Sequence, residues 1–285
     1  MAITANILLA FYDRFTKGMT FTSNTAVYST PFALNNLGNR RLQTSVWRAA
    51  LGSLSGVTLN VDLVSTRTID VFMIHGMNAT TGATCRVQFS TVSNFASTVY
   101  DTTSAVTCFD TSLGLLTGAE EFVPPWGRTF VHLISAGAVA GRYVRFTLSD
   151  SLQSVADNYI QASIVEVGKC WQPATNMGAE WSQRDYLLGG ISAADDVFPA
   201  QTVLRSHEFT LPILTKAEMS ILQNLWRNLG TTGRMLLVIR PTDATMWRAT
   251  NVWGCFVEEP KFEAHPQLGA FGTYSAQIKF KEVRE

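Results

Sequence analysis

The chain has 285 residues, 46% of them hydrophobic and only 15% charged, with 22 basic against 22 acidic side chains. Zero net charge and a lone adjacent basic pair, Arg40-Arg41, argue against a nucleic-acid partner, because neutralising phosphates takes a dense basic footprint. The length exceeds one typical core, so two domains are expected, and the low charged share fits either a surface covered by partners or a Ser/Thr-rich β-surface.

The N-terminal segment lacks a basic n-region, and its apolar run is interrupted by Asn6 and closed by Asp13. It does not read as a signal peptide. No stretch approaches the roughly 18 apolar residues of a membrane span, so no membrane insertion is expected.

From about residue 57 to 167 the pattern is one of short strands. Val57, Leu59, Val61 and Leu63 alternate with Thr58, Asn60 and Asp62, a period of two that puts one face in a core. Thr68–Ile74 is a denser apolar run suited to a more buried strand, ended by Gly76 and Asn78. Cys85, Val87 and Phe89 alternate again, and Tyr143–Leu148 and Ile160–Val167 follow. Turn residues between these runs predict an antiparallel sandwich or jelly roll rather than βαβ units. Val123-Pro124-Pro125-Trp126-Gly127 reads as a rigid loop, since two prolines cannot both serve a central strand. Its Trp126 packs over a core edge or faces a partner.

Residues 168–200 carry Gly168, Pro173, Gly178, Gly189-Gly190 and Pro199 and read as a connection, with one short strand around Trp181–Leu188. Thr215-Lys216-Ala217-Glu218 is a capping box. The Thr215 hydroxyl accepts from the N–H of residue 218, and the Glu218 carboxylate accepts from the N–H of residue 215. Ile221, Leu222, Leu225, Trp226 and Leu229 give the helix an apolar stripe, and Gly230 is placed to end it in a left-handed conformation. Met235–Ile239, Met246–Trp253, Cys255–Val257 and the alternating run from Tyr274 to Phe280 read as strands. The second module is therefore a sheet with one helix on it.

The search for chemistry finds none. His75, His132, His207 and His265 are isolated, without the spacing that puts two metal ligands on one face. Gly52-Ser53-Leu54-Ser55-Gly56 has Leu where a nucleophile elbow needs Ser, and no phosphate-cradling loop occurs. Glu120-Glu121, Asp195-Asp196 and Glu258-Glu259 are adjacent, and strand neighbours point to opposite faces, so they read as solvated carboxylates rather than a glycosidase pair. No catalytic residue, metal site or cofactor is expected. Cys85, Cys108, Cys170 and Cys255 form no C-x-x-C pair and read as free thiols, with a bridge such as Cys85–Cys108 left open. The Asn78-Ala79-Thr80 pattern reads as a turn after a strand. The candidate glycan or partner contacts are His75 and Asn78 at a strand end, and Phe95 and Trp126 as loop aromatics that could stack on a pyranose ring.

Two stretches carry a resemblance. Val46-Trp47-Arg48-Ala49, Val57–Leu63 and Ile69–Asn78, together with Gly141–Leu148 and Ile164–Gly168, resemble the discoidin-like (coagulation-factor C-type) jelly roll, over roughly residues 25–168. That pattern has an exposed-edge Trp and an R-Y-V-R closing strand, here Arg142-Tyr143-Val144-Arg145. Its metal and lipid-inserting features map onto no residue here. The second stretch, Glu208–Glu218, Leu225–Gly230, Met235–Ile239 and Tyr274–Val283, resembles siphophage tail-tip proteins (distal or minor tail proteins).

The resemblances imply a mainly β protein: a discoidin-like jelly-roll sandwich over 1–168, a connection over 169–200, and a β-sheet plus helix tail-assembly domain over 201–285. They imply a non-enzymatic structural component of a bacteriophage tail tip or baseplate, made in the host bacterial cytoplasm and located in the virion. The implied partners are copies of itself in a ring or cluster, other tail proteins (tube, hub, fibre) and a host-surface glycan. A host-surface carbohydrate-binding adsorption protein is the alternative. A polysaccharide depolymerase is the third reading, weakened by the missing catalytic constellation.

Overall fold

The period-two runs become strands, and their apolar sides become the cores. The computed structural model describes residues 2–11, 18–38, 46–80, 82–108, 128–154, 157–178, 181–188, 202–242, 251–265 and 272–283. In chain order the strands are β1 (Leu8–Phe11), β2 (Thr20–Ser23), β3 (Trp47–Arg48), β4 (Val57–Ile69), β5 (Val71–Met77), β6 (Thr84–Ser90), β7 (Thr98–Asp101), β8 (Val106–Thr107) and β9 (Arg128–Leu133). They continue with β10 (Val139–Ser149), β11 (Gln161–Ala162), β12 (Ile164–Trp171), β13 (Ser182–Leu188), β14 (Thr202–Thr215), β15 (Met235–Val238), β16 (Asn251–Phe256), β17 (Lys261–Ala264) and β18 (Thr273–Glu282). The helix α1 (Lys216–Leu229) lies between β14 and β15.

The chain divides into two units, Tyr12–Cys170 with Met1–Ile3 and Glu285, and Thr4–Phe11 with Trp171–Arg284. β1, from the segment that the sequence reading groups with the jelly roll, pairs with β15. β13, from within the segment read as a connection, pairs with β14.

The first unit is a jelly-roll sandwich of antiparallel strands. One layer runs β2-β4-β10-β6-β7, with β8 also on β6. The facing layer pairs β12 with β5 and β5 with β9. Leu59 and Val61 of β4, Val87 and Phe89 of β6, and Val144 and Phe146 of β10 meet Phe72 and Ile74 of β5 and Val165 of β12 in one core. Phe72 sits at its centre, 6.0 Å from Phe89 and 6.3 Å from Phe146 ring to ring, both edge-on. Edge-on contact is the favoured arrangement of aromatic quadrupoles, and such pairs add about 1 kcal/mol each beyond burial.

The dense apolar run expected as one strand over Thr68–Ile74 is divided between the two layers. β4 extends to Ile69, and β5 begins at Val71. Asp70 makes the crossing: its backbone N–H donates to Gly168 O, its O accepts from Ile134 N, and its Oδ1 accepts from Cys170 N at 2.7 Å. A period of two cannot reveal such a switch, because β5 is buried on both faces from Val71 to Met77 and carries no alternation. Burial pushes the Asp70 carboxyl above its ordinary value, against the opposing backbone hydrogen bond.

Trp47 also departs from expectation. The resemblance implies an exposed-edge Trp, whereas this indole is fully buried in the core. Its strand β3 is only two residues long and pairs with β11, so alternation sends Trp47 inward and Arg48 outward.

The second unit orders its strands β13-β14-β18-β16-β15-β1, with β17 added to β18. All the pairs are antiparallel. Both halves of the capping box form, at 3.2 Å from Glu218 N to Thr215 Oγ1 and 2.8 Å from Thr215 N to Glu218 Oε2. Leu222 and Leu225 of α1 pack into a core with Phe209, Leu211, Phe256, Ile278 and Phe280. Ile221, expected in that stripe, lies at its edge and is 36% exposed. Gly230 has the positive φ expected of it (55°), but its ψ of −146° puts it in a glycine-only extended region rather than the left-handed helical one. No helix among the described residues is long and apolar enough to cross a membrane.

Candidate functional site

The four residues picked from the sequence do not form one site. His75 lies within β5 and is buried, with its Nδ1 hydrogen-bonded to the Thr129 hydroxyl. Asn78 follows β5 and is also buried. Its Nδ2 donates to Asp157 Oδ2 at 3.0 Å and to Tyr159 O at 2.9 Å, and its Oδ1 accepts from Gln161 N at 2.8 Å. Phe95 lies over the six-stranded layer, where the Arg145 guanidinium stands 4.0 Å from its ring centroid. Trp126 lies outside the described residues, as do Glu120-Glu121 and Asp195-Asp196. Glu258 is partly exposed and paired with Lys279 at 3.1 Å, as expected of a solvated carboxylate.

Asn78 points to what the sequence reading passed over. The segment that it anchors, 157–161, carries Tyr159 and Gln161 to the outward side of β3. There Arg48 Nε donates to Gln161 Oε1 at 2.8 Å. The Arg48 guanidinium carbon stands 3.9 Å from the Phe32 ring centroid and 4.7 Å from that of Tyr159. Tyr28 completes the group, 5.8 Å from both of those rings and 43% exposed.

Three aromatic rings and a guanidinium thus converge from three segments of the chain. Each is fixed by its own backbone. Tyr28 N donates to Arg48 O at 3.0 Å, and Ala49 N to Ile160 O at 2.9 Å, so the three segments run side by side. Pro31 starts the short 3-10 turn Thr30–Phe32 with its preset φ. Asn36 Nδ2 ties that turn to β3 through Pro31 O and Val46 O, at 2.8 and 2.7 Å.

The frame beneath is equally specified. Gln153 is buried and donates through Nε2 to Asn78 O, while its backbone O accepts from Asn158 N at 2.8 Å. Asp150 accepts from both the N–H and the hydroxyl of Thr80, each at 2.6 Å. Gly76 forms a bulge against β9 at a φ of 69°. A Cβ there would stand 2.6 Å from Ser163 Cβ, so only glycine fits. Burial raises the Tyr159 hydroxyl above its ordinary pKa, with Arg48 opposing the rise. The phenol therefore stays protonated at neutral pH, as a donor beside the guanidinium.

No catalytic arrangement is visible in the group, which has no nucleophile–base pair. Among the described residues, no cluster of three or more His, Cys, Asp or Glu side chains could hold a metal ion. None of the four cysteines is in a disulfide. Burial pushes Cys108 up to about 12 and Cys85 well above its ordinary value.

No protein-family model matches the chain, and no curated protein does. Solved structures do. A chitosan-binding module in complex with chitotriose, from a chitosanase/glucanase of Paenibacillus sp. IK-5, is 17% identical, with a TM-score of 0.37 over 54% of this chain and 99% of that one. A CBM32 module of Clostridium perfringens in complex with GalNAc-β-1,3-galactose is 10% identical, with a TM-score of 0.39 over 56% and 99%. A CBM32 from a family 31 glycoside hydrolase of the same organism is 12% identical, with a TM-score of 0.40 over 55% and 99%. The chain is similar to these modules over just over half its length, and the likeness is one of fold.

Proposed function

We propose that this protein is a non-catalytic structural component of a bacteriophage tail tip whose jelly-roll unit presents a carbohydrate-binding surface. The observation that carries the binding half is the Tyr28–Phe32–Arg48–Tyr159 cluster. A pyranose offers apolar C–H faces and a rim of hydroxyls. The cluster offers aromatic faces for the first, and guanidinium, phenol and amide groups for the second. Its backbone is held by hydrogen bonds before any ligand arrives, which lowers the ordering cost of binding. Tyr28, the exposed ring, supplies the contact face.

The tail-tip half is supported by the sequence resemblance of Glu208–Glu218, Leu225–Gly230, Met235–Ile239 and Tyr274–Val283. In this reading the second unit makes the contacts with copies of itself and with other tail proteins. Two experiments test the proposal. A glycan array probed with the intact chain should give saturable binding that Tyr28→Ala and Tyr159→Ala weaken by about tenfold each, the scale of losing one aromatic contact. Gold label on the C-terminus should mark the distal end of the tail in electron micrographs. Unchanged glycan binding in both variants removes the first half, and label elsewhere removes the second.

A further inference from the structure

We propose that the ligand of this cluster is an acidic glycan, whose carboxylate seats on the terminal amino groups of Arg48 while its ring lies against the aromatic side chains. This rests on the carbohydrate-binding reading above. It comes from comparing Arg48 with three other arginines of the same unit. Arg86 makes a two-pronged pair with Asp101, at 2.9 and 2.7 Å, and Arg142 a two-pronged pair with Asp62, at 2.7 and 2.8 Å. Arg145 donates through Nε to Asn60 Oδ1 at 2.8 Å and is closed over by Phe95.

Arg48 has no carboxylate partner among the described residues. Only its Nε is engaged, by the neutral amide of Gln161. Rings of Phe32 and Tyr159 lie against the guanidinium carbon, so the group is held in place by packing rather than by a counter-charge. The N–H bonds on its two terminal nitrogens have no hydrogen-bond partner among the described residues, and a guanidinium presents them as a planar fork that matches a carboxylate. Asp157, the acid on the neighbouring segment, accepts from Asn78 through Oδ2. A partly buried positive charge beside apolar rings, without a carboxylate of its own, suits a carboxylated pyranose such as a hexuronic or sialic acid. A neutral sugar would leave the charge uncompensated.

The test uses the intact protein in titration calorimetry with sialyllactose, a galacturonic acid trisaccharide and lactose. At least one of the two acidic sugars should bind about tenfold or more tighter than lactose, with an advantage that shrinks as salt rises. Arg48→Gln should remove that advantage by weakening the acidic sugar about tenfold more than it weakens lactose, and Arg48→Lys, which keeps the charge but not the fork, should restore only part of it. Unfolding midpoints of both variants establish that they are folded, and the lysine variant carries the test if the glutamine variant is not. Lactose binding as well as or better than both acids overturns the acidic-ligand inference and leaves the carbohydrate site standing. An acid preference that Arg48→Gln does not alter also overturns it. No saturable binding of any of the three overturns the site itself along with the inference.

Discussion

The outer face of the six-stranded layer and the loop cluster around Arg48 use the same residue types to opposite ends. On the sheet face Arg142 and Arg86 are neutralised from within by carboxylates, and Arg145 is held by a neutral amide under the Phe95 ring. Asp62 holds Arg142, Asp101 holds Arg86, and a row of side chains runs from Thr22 through Asn60 to Arg145. At the loop cluster the polar effort goes into the frame instead. Asn78, Gln153 and Asp150 are spent mostly on backbone groups, and the guanidinium that they help to position has no carboxylate partner among the described residues. Polar richness alone therefore does not mark a binding surface. The mark is a cation without a carboxylate partner among the described residues, set beside an exposed aromatic ring, Tyr28.

The comparison can be broken most forcefully at Gly76. Gly76→Ala combines a positive φ with a collision against Ser163, and should destabilise the first unit by about 3 kcal/mol or more in denaturant melts. Asn78→Ala comes next. It strips three hydrogen bonds from a buried side chain, which should cost about 2 kcal/mol. Because it frees Tyr159 and Gln161, it should also weaken glycan binding, a readout that a purely structural asparagine elsewhere would not move. Thr215→Ala, in the other unit, breaks the capping box and should cost about 1 kcal/mol in a thermal melt, with sugar binding unchanged.

The smallest effect should come from the sheet face. Arg142→Gln removes a partly exposed ion pair and should lower the unfolding midpoint only slightly, less so at high salt. Its pH dependence is more telling. The Arg142 hydrogen bond holds Asp62 below the usual carboxylate range, and the Arg86 hydrogen bond does the same for Asp101. A depressed carboxylate stabilises the fold above its unfolded value, and that contribution is lost as the pH falls through the folded value. Stability measured from neutral pH downwards should therefore fall less steeply in Arg142→Gln than in the wild type. Equal slopes would show that the pair is idle.

Much of the fold was legible because it rests on local patterns. The alternation of Val57–Leu63 and of Tyr274–Phe280, and the Thr215–Glu218 box, each specify an element within a few residues of sequence. What escaped was set by partners far along the chain. The layer switch at Asp70 depends on Ile134, Gly168 and Cys170. The ring cluster joins Tyr28, Phe32 and Arg48 to Tyr159 and Gln161, more than a hundred residues away. Asn78 stands at the strand end that the sequence predicts, but it is buried and its side chain serves the neighbouring segment rather than the surface. The two-residue strand β3 held the one usable clue. A buried Trp47 forces its neighbour Arg48 outward, and Tyr28 and Phe32 lie close by in sequence.

The thiols give the molecule a built-in reporter of its own opening. Cys85 and Cys108 lie in the core of the jelly roll, and Cys255 is buried in the other unit. A sulfur kept protonated and out of solvent does not attack an alkylating reagent, so the modification rate of each measures how often its surroundings come apart. Mass spectrometry of the labelled peptides would then read the breathing of the two units separately, in one tube and without a single substitution.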